Sequence, residues 1–348
     1  MIFICLILFI KGNETRFSGT VIQLKFRKFG WNGLLFDVPE EMRFTRQGGN
    51  AKSGNFMLES EDCLVEAKWQ PIPKRPKPIS SIVGTIVEQM EKYEKKKKRD
   101  KRQTVKILGK ETAHVYSHDA LYIVVKAQVE ERYYIWYCNE SERIIILRFV
   151  FKTFDDKSRR MLKRMVDSMK CHGEDFNVWS LMNLRFETPV SFLLTESNIR
   201  VGRAQFLFTD NQFSMFTEKT STILLEYFSM ANLLFKDTYK DIDKWFEKNY
   251  QKDLSKQLKK RKIKFQLAKP RKLRRHKVVV KQAKMTSGVS WRTTTIYTNA
   301  TWYCSGSNRI YSVTVASSIK RPILFKRILD EAGHAKMVDD FLSSIKCH

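Results

Sequence analysis

Cysteine and histidine are the side chains of this chain with the most chemistry to offer, and they recur in register. Cysteines stand at positions 5, 63, 138, 171, 304 and 347, and "WYC" occurs at Trp136 to Cys138 and again at Trp302 to Cys304. "KCH" likewise closes at His172 and at His348. Two thiols per copy could oxidise to a disulfide, stay as buried thiols, or join an imidazole on a metal. The spacing favours disulfides, Cys138 with Cys171 and Cys304 with Cys347, each closing a loop worth about 3 to 4 kcal/mol in the chain-entropy account. For a metal, Cys138, Cys171 and His172, echoed by Cys304, Cys347 and His348, make Cys2His sets that lack the fourth donor of structural zinc and the spacing of a zinc finger. No metal and no cofactor are therefore assigned. His114 and His118 in "HVYSH" are spaced like a helical metal pair, but the segment reads as a strand and no Glu follows the first His, so a surface or core role is expected.

Catalytic signatures are missing. The chain has no Gly-x-Ser-x-Gly, no glycine-rich phosphate loop among its 14 glycines and no metal-spaced acidic cluster. The expectation is a protein that is not an enzyme.

The elements that would carry these residues repeat as well. "MLKRMVDSMKCH" (161–172) aligns without a gap on "MVDDFLSSIKCH" (337–348). Met161, Leu162, Met165, Val166 and Met169 fall on Met337, Val338, Phe341, Leu342 and Ile345, which is one face of an amphipathic helix in each copy. Upstream, "LLFDVPEEMRF" from Leu34 echoes "LRFETPVSF" from Leu184, a short strand ending at a proline turn. The offset between copies is 150 at Phe36, 166 at Cys138 and 176 at Cys171, so the second copy holds insertions, which loops absorb at little cost. Strands are expected at 54–59 and 63–69, then the stiff connector "QPIPKRPKP", then a helix from Ser80 with Ile79, Ile82, Val83, Ile86, Val87 and Met90 on one face. Tyr239, Ile242, Trp245 and Phe246 are its counterpart. Four strands rich in aromatic and β-branched residues follow, and then the closing helix.

This order, with its Phe-x-x-Pro start, resembles the Mog1/PsbP-like fold, a twisted antiparallel sheet lying between helices, over about 31–172 and 178–348. The fold class expected is α+β, with two tandem repeats of β3-α-β4-α order. Residues 1–30 form an apolar segment and lead-in strand, 31–172 the first domain, 173–177 the linker and 178–348 the second domain. The resemblance implies a non-enzymatic, partner-binding accessory role and supplies no site residues.

Charge points further. The 348 residues carry 64 Lys and Arg against 37 Asp and Glu, a net charge of +27. Lys92 to Lys110 holds ten bases and two acids, and Lys252 to Lys284 fifteen bases and one acid, so 52 residues supply +22. A basic run is often merely a solvated face. Here two runs recur at equivalent places, and the second interleaves Phe265 and Leu267 with Arg271, Arg274 and Arg275, which suit phosphate geometry. The expected function is sequence-nonspecific binding of nucleic acid or a ribonucleoprotein. The expected contacts are Lys95, Lys96, Lys97, Lys98, Arg99, Lys101 and Arg102, with Lys259, Lys260, Arg261, Lys262, Arg271, Lys272, Arg274 and Arg275. An acidic protein or an anionic membrane surface is the alternative partner. "MIFICLILFI" at the N-terminus is too short to span a bilayer and reads as an edge strand, an anchor or a truncated export signal. A cytoplasmic location is favoured. The rival is an envelope-associated module with oxidised cysteines, which the sequons at Asn13, Asn139 and Asn299 would fit.

Overall fold

The computed structural model describes residues 24–97, 103–235, 241–258, 263–269, 271–273, 276–324 and 329–347. The apolar N-terminal run lies outside them. In the first repeat the order is β1 (Phe26–Trp31), β2 (Leu34–Pro39), β3 (Arg43–Gly49), β4 (Gly54–Glu59), β5 (Cys63–Pro71), α1 (Ile79–Lys96), β6 (Lys106–Val115), β7 (His118–Lys126), β8 (Glu130–Cys138), β9 (Arg143–Phe151) and α2 (Asp156–Asp167). The second repeat begins with β10 (Phe176–Leu181), β11 (Leu184–Pro189), β12 (Leu193–Arg200), β13 (Arg203–Ser214), β14 (Thr217–Ser229) and the single turn α3 (Ala231–Leu234). After it, α4 (Ile242–Trp245) continues through a π-helical turn, Phe246–Tyr250, into α5 (Gln251–Gln257). Then come β15 (Gln266–Leu267), β16 (Arg271–Leu273), β17 (His276–Ser287), β18 (Trp291–Cys304), β19 (Arg309–Pro322) and α6 (Glu331–Ser344).

Each repeat is an antiparallel sheet with a small hairpin. The first sheet runs β3-β4-β5-β9-β8-β7-β6 and the second β12-β13-β14-β19-β18-β17-β15, with β16 also on the outer edge of β17. The hairpins β1-β2 and β10-β11 stand apart as two-stranded sheets. The molecule is therefore more strand-rich than β3-α-β4-α: five strands, not three, precede α1. The strand that the sequence hides is β3. "RFTRQGG" lies at an exposed sheet edge and lacks the alternation that a half-buried strand shows.

Burial explains why the helices form where they do. On one face of the first sheet, α1 sets Val83, with Ile79, Ile82, Ile86, Val87 and Met90 around it, against Ile123, Val125, Tyr133 and Ile135. In the second, Trp245, Phe246, Tyr250 and Leu254 cover Leu224 and Ile310. The opposite faces take α2 and α6, with Met161, Leu162, Met165 and Val166 buried on the one and Val338, Phe341 and Leu342 on the other. Each closing helix hands the chain back to its hairpin. Leu35 and Lys170 exchange two backbone hydrogen bonds of 2.7 and 2.8 Å, and Arg185 and Lys346 do the same.

The two hairpins meet back to back. Gly30 N–H donates to Ser180 Oγ at 3.2 Å, and Ser197 Oγ donates to Gln47 Oε1 at 3.0 Å. Both pairs join positions 150 apart, which is the mark of a local two-fold, as in a symmetric dimer. Gly30 is needed there, because a Cβ on it would sit 2.4 Å from Val178 O. Trp31 packs edge-on against Trp179 at 5.4 Å, inside one apolar core to which both repeats contribute.

Candidate metal centres and the basic segments

The strand ends of each sheet converge on the tail of its closing helix. In the first repeat, His118 opens β7, Cys138 ends β8, and the Leu35–Lys170 bridge fixes the next two residues, Cys171 and His172. One donor atom from each of His118, Cys138, Cys171 and His172 lies within 4.8 Å of the others. His172 Nδ1 is 3.3 Å from Cys138 Sγ and 3.5 Å from Cys171 Sγ. In the second repeat His276 opens β17, Cys304 ends β18 and Cys347 follows α6, and their donor atoms cluster in the same way, with Cys347 Sγ 3.2 Å from His276 Nε2. His348 lies outside the described residues.

Two expectations are corrected here. Cys138 and Cys171, and Cys304 and Cys347, do come together, but as thiols: no disulfide joins any described cysteine. And a histidine that the linear spacing hides completes a four-donor set in the first repeat. "HVYSH" is not one strand but the end of β6, a two-residue turn and the start of β7, because Tyr116 adopts φ +57°. The turn parts the two histidines. His114 is exposed and pairs with Asp119 at 3.1 Å, whereas His118 turns inward. A signal for His118 and His276 was present: their offset of 158 falls between the 150 and 166 of the flanking landmarks, so a gapped alignment sets them opposite each other.

Electrostatics around the thiols is shaped by neighbours. A hydrogen bond from Cys171, with help from Ser141 and His172, brings the Cys138 thiol down to about 5, and the same pairing with Cys138, plus burial, pushes Cys171 up. Burial and the neighbouring Cys304 push Cys347 up to about 11. The indoles of Trp136 and Trp302 lie beside Cys171 and Cys347, and neither indole nitrogen makes a hydrogen bond. The Trp of each "WYC" therefore stands beside the cysteine of each "KCH". Arg143, paired in register with Cys138, donates to Cys171 O at 3.2 Å and to Asn32 O at 2.8 Å; Arg309 holds the same register place beside Cys304. Cys138 and Cys304 are fully buried, which leaves neither open to attack a bulky substrate.

The basic residues divide. Lys95 and Lys96 are exposed at the end of α1, but Lys97 is engaged by Glu94 and by Gln128 at 3.2 Å. Glu94 also accepts from Gln103 N at 3.0 Å, so one carboxylate ties both ends of the segment between them; its pKa is held low by Lys97 and Gln103. Lys98, Arg99, Lys101, Arg102, Lys259, Lys260, Arg261, Lys262, Arg274 and Arg275 lie outside the described residues. Arg271 and Lys272 are in β16, on the sheet edge. Phe265 packs edge-on against Phe246 at 5.7 Å, as part of the core and not as a stacking platform. Lys281 is buried between Asp243, at 2.6 Å, and Glu247, at 2.9 Å. The sequon at Asn299 is inaccessible: that side chain is fully buried and donates to Ser312 and Thr314 hydroxyls. Among the described residues no helix is long and apolar enough to cross a membrane.

Neither a protein-family model nor a curated protein matches the chain. Among solved structures it is similar to cyanobacterial PsbP (CyanoP) from Synechocystis sp. PCC 6803, at 8% identity and a TM-score of 0.35, over 44% of this chain and 96% of that one. It is also similar to the immunity protein TplEi of the type VI secretion system from Pseudomonas aeruginosa, complexed with a peptide, at 11% identity and a TM-score of 0.28, over 93% of this chain and 98% of that one. At these TM-scores neither likeness carries an argument, and the Mog1/PsbP-like resemblance rests on element order.

Proposed function

We propose that this chain is a non-enzymatic, cytoplasmic binding protein that grips the phosphates of nucleic acid, free or in a ribonucleoprotein, without reading sequence. The observation that carries this reading is the duplicated placement of charge. Of the +27, +22 lies in two segments, and each joins the helical cover of a sheet to that sheet's outer edge strand, α1 to β6 and α5 to β15. Charge needed only for solubility would be interspersed over the surface. Lys95, Lys96, Lys106, Lys110, Lys264 and Lys269 are exposed in these segments, whereas Lys97 and Lys281 are neutralised internally and take no part. Two such segments on one molecule would add their phosphate contacts through a high effective concentration. The thiol state of the cysteines fits a reducing compartment.

The test is anisotropy of labelled mixed-sequence RNA and DNA with the full chain, titrated between about 50 and 200 mM salt. Log affinity should fall linearly with log salt, and changing Lys95, Lys96, Lys98, Arg99, Lys101 and Arg102 to Gln should weaken binding and shallow the slope. Absence of binding at low salt, or affinity indifferent to the charge changes, sinks the reading. Binding to anionic vesicles alone would transfer the basic segments to a membrane role.

A further inference from the structure

We propose that each repeat holds a divalent metal ion of the zinc class, on His118, Cys138, Cys171 and His172 in the first and on the pseudo-equivalent His276, Cys304 and Cys347 in the second. The inference is independent of nucleic-acid binding. Its first support is geometric. Zinc bonds of about 2.3 Å to sulfur and 2.0 to 2.1 Å to nitrogen, set tetrahedrally, place sulfur and nitrogen donors about 3.5 Å apart. The observed S···N separations are 3.3 and 3.5 Å in the first repeat and 3.2 Å in the second.

The second support is duplication under shifting offsets. The donors come from three separate parts of the chain: the start of one strand, the end of the next and the tail of the closing helix. Their offsets are 158, 166 and 176, so insertions have accumulated between them, yet in both repeats they reconverge on one point. Packing alone asks for apolar volume there and has no use for an imidazole beside two thiols.

The third support is the surroundings. His118 Nε2 is buried without a hydrogen-bond partner and lies 3.6 Å from Glu140 Oε2. The indole nitrogens of Trp136 and Trp302 are buried without one too. A dipositive ion with two thiolates and two neutral imidazoles is a neutral unit, which suits a buried position. Two soft sulfurs and two imidazoles select zinc over magnesium or calcium, and four protein donors leave no open coordination position, so the first site is structural in kind. His172 lines a cleft of 530 Å³ with walls from both repeats, including Asn32, Glu140, Asn177 and Leu193, which gives an ion a way in. As each metal–sulfur bond forms, any proton still on that thiol passes to solvent. The ion then fastens the closing helix to two strand ends, the task first expected of a disulfide.

The experiment is metal analysis of the full chain, purified with reductant and without chelator. About two zinc ions per chain are expected. C138S and C304S should each lower the content by one ion, and together they should abolish it. If these variants do not fold, H118Q and H276Q, altered at half-buried strand starts, are titrated with Co2+. Each should lose one site's share of the thiolate-to-cobalt charge-transfer band and of the visible absorption that marks tetrahedral cobalt. A folded chain that holds no zinc and gives no such cobalt spectrum overturns the proposal, as does metal content that none of the substitutions changes. One ion, lost in C138S and kept in C304S, overturns the second site.

Discussion

His118 owes its position to a turn and Trp136 owes its to a register, and both stand beside the two thiols of the first repeat. Trp136→Phe keeps most of the buried volume and removes only the indole N–H, which lies beside Cys171 and is buried without a hydrogen-bond partner. An outer-shell donor that engages a metal-bound sulfur is worth about 10- to 100-fold in metal affinity. The first site should therefore release zinc to a competing chelator about 10-fold more readily, with the melting temperature little changed in metal-saturated protein; an unchanged release rate would separate the indole from the site. His334 offers a second test at this scale. Its imidazole is buried between Thr298 Oγ1 at 2.9 Å and Ser317 Oγ at 2.8 Å, and burial lowers its pKa despite nearby Glu331. The unfolded chain therefore takes up this proton first as pH falls. Stability from His334 is complete above the ordinary histidine value, about 6.5, and is lost below it. Melting of the wild type between pH 7 and 5 should fall more steeply than melting of His334→Gln. The cysteines were legible because their tripeptides repeat verbatim, whereas His118 and His276 have no shared tripeptide around them and only the interpolated offset marks them.

The closing helices join residue chemistry to fold. In α2 an apolar stripe is pressed onto the sheet, and the tail beyond it carries Cys171 and His172. Met165 is fully buried there, so Met165→Ala should cost about 2 to 5 kcal/mol by denaturant titration. The same variant should loosen metal retention in the first repeat and spare the second. Ile86→Ala on the half-exposed stripe of α1 should cost less and leave both sites loaded. Both stripes could be read from the sequence, since a helix with one buried face writes its period of 3.6 plainly. The same holds for β4, β5 and the four strands after α1, with their branched and aromatic residues. What stayed hidden depends on neighbours distant in sequence. β3 is a strand because β4 offers it hydrogen bonds, with seven residues that are mostly polar or glycine. The β6-β7 turn rests on non-glycine residues, Tyr116 and Ser117, where sequence rules look for Asn-Gly.

At the scale of the molecule, the local two-fold makes the tandem repeat behave as a covalent dimer. The core runs from Phe29 and Trp31 through Trp179 to Phe206 and Phe208 as one apolar cluster with members from both repeats, so neither half keeps its apolar surface covered when the other unfolds. The chain should melt in one cooperative transition, with calorimetric and van't Hoff enthalpies in agreement. Gly30→Val should damage that behaviour more than an average surface change, since any Cβ at position 30 meets Val178 O at 2.4 Å and backbone has to move. Overpacking of this kind costs about 1 to 3 kcal/mol. The sharper measure is a double-mutant cycle on Trp31 and Trp179, both 1% exposed and edge-on across the junction. If the junction were a passive contact between independent domains, Trp31→Phe and Trp179→Phe would each destabilise one domain, two transitions would separate, and the effects would add. With a shared core, each substitution should shift the whole transition, and the pair should show a coupling of about 0.5 to 1.5 kcal/mol, the value of an aromatic pair beyond its buried area.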